Sequence, residues 1–136
     1  MEFASLPLKV FVYGTLKPGY RNYAVYCEGK VAAATTASTK GNLYSLPMGY
    51  PAMTAGNNQV SGVLLAFQDT QVLDSLDHLE GYQQELPLTA SEYYRASVPV
   101  YDSSGGVIAQ AWTYYMTTAR VEYYQGVPLN SGCWQG

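Results

Sequence analysis

"VFVYGTLKPGYRN", residues 10–22, is the segment from which the architecture can be read. Its first half belongs to a continuous apolar run, "LKVFVY" at 8–13, of strand length and rich in β-formers, which predicts a central strand. The run stops at Gly14. A strand that gives way to a Gly-bracketed loop is how a phosphate-binding loop begins. That pattern demands Lys and then Ser or Thr after the second glycine, whereas Tyr20 and Arg21 follow Gly19 here. The glycine spacing does not fit a dinucleotide fingerprint either. Two readings remain open. Successive backbone N–H groups after the strand can form a concave nest for a small anion such as a carboxylate. Alternatively, a tight turn needs Gly14 and Gly19 only for their dihedrals. "KPGYRN" (17–22) reads as the turn and surface that follow.

Working outward, residues 19–28 suggest a helical turn carrying Tyr23 and Tyr26, and "VAAATTASTKGNLYSL" an extended stretch interrupted at Gly41. "MGYPAMTAGNN" reads as loop, and "VSGVLLAF" (60–67) as a strand. "DTQVLDSLDHLEG" (69–81) is a helix with Asp69 as its N-cap and Gly81 as its stop. "EYYRASVPVYD" and "VIAQAWTYYM" are two strands joined by a "DSSGG" hairpin connection. "TARVEYY" forms a short helix and "GVPLNSGCW" an irregular tail. Strands outnumber helices without regular βαβ alternation, so the class is α+β in a single domain over 1–136.

Composition narrows the function. Only 12% of the residues are charged, while 14 are tyrosine, so many phenol hydroxyls need partners and a polar cavity is favoured. The net charge is −3, and Arg21, Arg95, Arg120 and four lysines are scattered, which argues against nucleic-acid binding. There is no apolar run of membrane-spanning length, and "MEFASLPLKV" carries Glu2 and no basic stretch, so a cytoplasmic protein is expected. Cys27 and Cys133 have no His or Cys at ligand spacing, so two ordinary thiols and no metal site are expected. No Gly-x-Ser-x-Gly elbow occurs, and His78, the single histidine, has no evident nucleophile partner.

One carboxylate breaks the pattern. At about 100° per residue, Val72, Leu73, Leu76 and Leu79 define an apolar arc, with Asp74, Ser75, Asp77 and His78 outside it. Glu80 falls inside. Burial raises the pKa of such a group, and the negative end of the helix dipole, in the last turn, pushes the same way. A carboxyl poised nearer neutrality can exchange a proton at working pH. A frayed helix end that turns Glu80 to water, or an ion pair with Arg95, would equally satisfy the sequence.

Taken in order, "VYGTL" (12–16), "GNLYSL…GYPAM" (41–53), "LDHLEGY" (76–82), "YYRASVPV" (93–100), "AWTYY" (111–115) and "SGCW" (131–134) resemble the γ-glutamylcyclotransferase-like superfamily, which includes AIG2-like proteins, over Val10 to Trp134. The resemblance implies a small mixed β-barrel flanked by helices. It also implies that Tyr13, Gly14, Thr15 and Leu16 hold the γ-glutamyl moiety, that Glu80 is the catalytic acid/base, and that Tyr82, Tyr94 and Tyr114 line the cavity. The family's tail often reads Ser-Gly-Asp-Trp, and Cys133 stands here for the Asp. The implied reaction needs no cofactor: the α-amine of a γ-glutamyl small molecule closes on its own γ-carbonyl, giving 5-oxoproline. A phenol or a backbone N–H would stabilise the oxyanion. A non-catalytic binding protein for a carboxylate or γ-glutamyl compound is the alternative. The loops around 45–57 and 83–92 are expected at the cavity mouth.

Overall fold

The computed structural model describes residues 6–83, 85–87 and 90–135. These form six strands and three helices in the order β1 (Leu8–Val12), α1 (Arg21–Tyr26), β2 (Val31–Ser45), β3 (Pro51–Phe67), α2 (Val72–Glu80), β4 (Tyr94–Tyr101), β5 (Val107–Tyr115), α3 (Thr118–Tyr123) and β6 (Val127–Pro128). The sheet runs β3-β1-β5-β4-β2-β6, and β2 also pairs with β3, so the sheet closes on itself into a ring. The pairings are antiparallel except β1 with β5, which is parallel at Val10 and Trp112. The fold is thus α+β with a mixed, ring-like sheet. Among the described residues no helix is long and apolar enough to cross a membrane.

The central position of β1 explains its unbroken apolar run. Alternate residues point to opposite faces of a strand. Leu8, Val10 and Val12 join one apolar cluster with Cys27, Val72, Leu76 and Val121, which come from the helical side. Phe11 and Tyr13 join a second cluster with Leu43, Leu64, Val98, Val100 and Ala111, drawn from every other strand of the ring. One cluster fills the ring and the other lies between sheet and helices, so both faces of β1 are buried except at half-exposed Lys9.

Three expectations need correction. "PAMTAGNN" is not loop, because β3 starts at Pro51 and pairs with β2 on both sides of residues 55–57. The register jumps between Gly41 (opposite Asn58) and Asn42 (opposite Thr54), so residues 55–57 bulge out of the ladder. Turn-forming Gly56 and Asn57 mark an irregularity inside a long hairpin rather than its end. Asp69 is not the cap of α2. The N-cap is Gln71, and the Asp69 carboxylate accepts the Gln71 N–H at 2.9 Å, closing a separate turn ahead of the helix. The tail is not wholly irregular: Val127 and Pro128 pair with Ser45 and Tyr44 at the sheet edge.

Gly62 shows how tightly the ring is closed. A Cβ there would strike the Val12 carbonyl oxygen and sit 2.7 Å from the Phe11 ring. Gly62→Ala should therefore lower unfolding stability by about 1–3 kcal/mol through overpacking, measured by chemical denaturation. An unchanged midpoint would mean that β1 and β3 do not approach this closely.

Candidate active site

A cavity of about 300 Å³ opens where β1 ends. Five parts of the chain build its wall: the β1 end and following turn (Phe11 to Leu16), α1 (Arg21, Asn22), the entry to β3 (Tyr50 and the first strand residue, Pro51), the end of α2 (Leu79, Glu80), and the β4–β5 pair with its approach (Glu92, Tyr93, Tyr114).

The turn after β1 is closed by Lys17 N–H donating to Gly14 C=O at 3.0 Å. Its inner amides, those of Thr15 and Leu16, meet no backbone acceptor among the described residues. Two unpaired N–H groups on a cavity wall form an anion-binding concavity. Gly14 is required by close approach, since a Cβ would come 2.7 Å from Pro51 Cγ. Asn22 braces the turn from outside: its N–H donates to Thr15 C=O at 3.0 Å and its Nδ2 to Thr15 Oγ1 at 2.7 Å. "KPGYRN" is therefore not mere surface. Lys17 is buried, its Nζ donates to the Trp134 carbonyl at 2.6 Å, and it lies 4.8 Å from the Tyr20 ring centroid. This contact ties the tail to the turn. Cys133, half-buried, takes no part in it.

Helix α2 ends at Gly81, whose left-handed conformation (φ 69°) lets the chain turn back. Tyr93 N–H then donates to Glu80 C=O, and Glu92 N–H to Gly81 C=O, each at 3.2 Å, so the helix end is pinned to the start of β4. The Glu80 side chain is held at the cavity and is not frayed into solvent. It keeps some accessible surface because the cavity is open, yet protein surrounds it closely enough that burial, with the nearby Asp77 charge, raises its pKa from an ordinary 4.5 to about 8. Among the described residues its carboxyl forms no hydrogen bond or ion pair.

Arg95 does not pair with Glu80. Its Nε lies 3.0 Å from Asp77 Oδ1, with the two side chains only 10% and 17% exposed. The Nε–H is not aimed along that line and has no hydrogen-bond partner, so the contact is a charge pair. The guanidinium lies 4.3 Å from the Trp112 ring and 5.3 Å from that of Tyr82. Asp77 also accepts the Tyr114 hydroxyl at 2.7 Å. The helical wheel put Asp77 on the polar arc. It sits at the boundary of that arc, and β4 and β5 cover the boundary.

A family model described as "Gamma-glutamyl cyclotransferase, AIG2-like" matches residues 10–136. The chain belongs to the γ-glutamyl cyclotransferase, AIG2-like family. An AIG2-like protein from Mus musculus has the same fold, with a TM-score of 0.67 and 24% identity over 94% of this chain and 88% of that one. YkqA from Bacillus subtilis matches with a TM-score of 0.64 and 22% identity over 93% of this chain, which spans only 39% of YkqA. A protein from Arabidopsis thaliana follows at 0.63 and 21%, over 85% of this chain and 73% of that one. No curated protein sequence matches the chain.

Within this family fold, Tyr13, Gly14, Thr15, Leu16, Glu80 and Tyr114 line one cavity. Tyr82 and Tyr94 do not line the cavity. Tyr82 lies against Arg95, and Tyr94 stacks on Tyr115 at 5.7 Å beside the cluster that fills the ring. The reason is the strand period: Arg95 lies opposite Tyr114, so Tyr93 and not Tyr94 shares their face. Sequence reasoning missed Tyr93, Tyr50, Asn22, Arg21 and Glu92. Alternation through "EYYRA" could have found Tyr93 once the hairpin register was known; the other four carry no local signal. Of the two expected mouth loops, residues 50, 51 and 92 contribute, while 84, 88 and 89 lie outside the described residues.

Because Glu80 binds its proton more tightly when folded, its contribution to stability is full below about pH 4.5 and is lost as pH rises through about 8. The limiting slope is ~1.4 kcal/mol per pH unit. Denaturation of wild type and Glu80→Gln across this window should show the wild type losing stability relative to the variant as pH rises. Parallel curves would mean that Glu80 titrates like an exposed carboxylate.

Proposed function

We propose that this protein is a γ-glutamylcyclotransferase-type enzyme. It releases 5-oxoproline and a free amine or amino acid from an L-γ-glutamyl compound. The observation that carries this reading is an unpaired carboxyl, Glu80, with its pKa raised to about 8, on a small cavity that a turn with two unpartnered amides also lines.

In this reading the Thr15 and Leu16 amides hold the substrate's α-carboxylate and fix the neighbouring α-ammonium near Glu80. The Tyr13, Tyr93 and Tyr114 hydroxyls donate to the Tyr114 carbonyl, the Pro51 carbonyl and Asp77 respectively, so only their lone pairs can face a ligand. Such a wall suits a cation. Glu80 removes a proton from the ammonium, and the freed amine attacks the γ-carbonyl carbon. The tetrahedral intermediate collapses, the C–N bond to the leaving group breaks, and Glu80 gives its proton to the departing nitrogen; the ring nitrogen then loses its remaining extra proton to the freed Glu80 carboxylate, which passes it to the departing amine or to water. The nucleophile belongs to the substrate, so no serine or cysteine is needed. Holding it in the attacking geometry supplies roughly 7–11 kcal/mol of the barrier reduction.

A panel of γ-glutamyl amines, amino acids and peptides, followed for 5-oxoproline by mass spectrometry, tests the activity. Turnover is expected for at least one, and Glu80→Gln should lower kcat by roughly 10²- to 10⁴-fold. Tight binding without product would instead make this a binding protein. For active substrates kcat/KM should rise with pH to a limb near 8, where free Glu80 ionises. Asp77→Asn removes a neighbouring anion and should move that limb to lower pH. A limb that stays in place would remove Asp77 from the tuning of Glu80.

A further inference from the structure

Cyclisation needs a hydrogen-bond donor where charge develops on the γ-carbonyl oxygen. Four tyrosines line the cavity: Tyr13, Tyr50, Tyr93 and Tyr114. A phenol has a single hydrogen to donate. Three of the four give theirs to the protein, at 2.6 Å from Tyr13 to the Tyr114 carbonyl, 2.8 Å from Tyr93 to the Pro51 carbonyl and 2.7 Å from Tyr114 to Asp77. The Tyr50 hydroxyl meets no protein acceptor among the described residues. It is the one phenol of this wall with a hydrogen available to a ligand.

We propose that Tyr50 is a catalytic residue that donates a hydrogen bond to the substrate's γ-carbonyl oxygen, an assignment that rests on the cyclotransferase reading above. The backbone around Tyr50 is well anchored. Leu46 N–H donates to Tyr50 C=O at 3.0 Å, which closes the β2–β3 turn. The next residue, Pro51, is buried against Gly14, and its carbonyl accepts the Tyr93 hydroxyl. Tyr50 therefore stands next to the residue that packs on the turn whose amides would hold the α-carboxylate, and it lines the same cavity as Glu80. Burial first, and then the charges of Glu92 and Glu80, raise its pKa further, so the phenol stays protonated while Glu80 ionises.

The division of labour is chemically complete. As the amine nitrogen bonds to the γ-carbon, the carbonyl π pair moves onto oxygen, where the Tyr50 O–H hydrogen bond stabilises it. Collapse returns the pair to the C=O bond and expels the leaving nitrogen, which takes the proton from Glu80, while the ring nitrogen gives up its extra proton through the freed Glu80 carboxylate to the departing amine or water. Tyr50 keeps its own proton throughout.

Tyr50→Phe removes the hydroxyl and keeps the ring. Tyr93→Phe is the comparison, because the Tyr93 hydroxyl already serves a carbonyl. Three measurements on the full chain decide the matter: kcat and KM on an active γ-glutamyl substrate, thermal melting, and calorimetric binding of 5-oxoproline, whose ring carbonyl is the former γ-carbonyl. Tyr50→Phe should lower kcat by roughly 10²- to 10³-fold with KM near wild type, and its melting should be unchanged. Tyr93→Phe should melt lower, since the Pro51 carbonyl loses its partner. A Tyr50→Phe kcat equal to wild type, or a loss confined to KM, overturns the proposal. If the wild type turns over no γ-glutamyl compound, the cyclotransferase reading fails by itself and binding decides Tyr50. About tenfold weaker 5-oxoproline binding by Tyr50→Phe would uphold the donor role. Equal affinity, or no binding by wild type, overturns it.

Discussion

Arg95 places its charge on Asp77, at 3.0 Å, and not on Glu80 three residues further along the same helix. The rest of the site depends on that choice. A guanidinium at Glu80 would hold its carboxyl ionised and salt-bridged, with a low pKa and no capacity to carry a proton. Paired instead with Asp77, Arg95 compensates a buried anion, rests on Trp112 and leaves Glu80 alone. The same Asp77 takes the hydrogen of Tyr114 and adds its repulsion to the burial of Glu80. Burying the Arg95–Asp77 pair need not stabilise the fold, because desolvation can cancel the attraction. Its effect here is to keep the guanidinium charge off Glu80, whose hold on its proton is raised first by burial and then by Asp77.

Rigidity comes from contacts that join distant parts of the chain. The pinned C-terminus of α2 orients Glu80 through two backbone hydrogen bonds to the approach of β4. Pro51 packs on Gly14, Asn22 braces Thr15, and Lys17 ties the turn to the Trp134 carbonyl. Glu92, on the cavity wall, is also fixed, by Tyr124 at 2.8 Å and Arg120 at 3.3 Å. Groups held in this way need little reorganisation when charge develops, which is the physical basis of electrostatic preorganisation. The tyrosine-rich composition follows from the same demand. Phenols supply both apolar bulk and a directed hydrogen, and three of the four on the cavity wall are committed to protein acceptors.

Much of this was legible before any coordinates. The run at 8–13 announced a strand with two buried faces, because continuous apolarity leaves no solvated side. The α2 wheel isolated Glu80, because helical geometry fixes which residues share a face whatever lies opposite. The wheel could not say what covered the boundary residue Asp77. Tyr94 was named from the family resemblance; adjacent strand residues face opposite ways, and only the pairing of Arg95 with Tyr114 reveals that Tyr93 turns to the cavity. Tyr50 and Asn22 were missed for a different reason. Each lies in a connecting or short segment without periodicity, and only the closing of the ring carries it to the site.

The sequence by itself determined the strand at β1, the break at Gly14, the helix with one carboxylate on its apolar arc, and the family motifs from Val10 to Trp134. These are local properties, set by dihedral freedom, side-chain period and residue order. The tertiary structure decided which charges meet. Whether Arg95 neutralises Glu80 or Asp77, and which phenol keeps its hydrogen, depends on ångström-scale placement of groups far apart in the chain. Coulombic and hydrogen-bond energies change steeply over that scale, and residue order does not encode it locally.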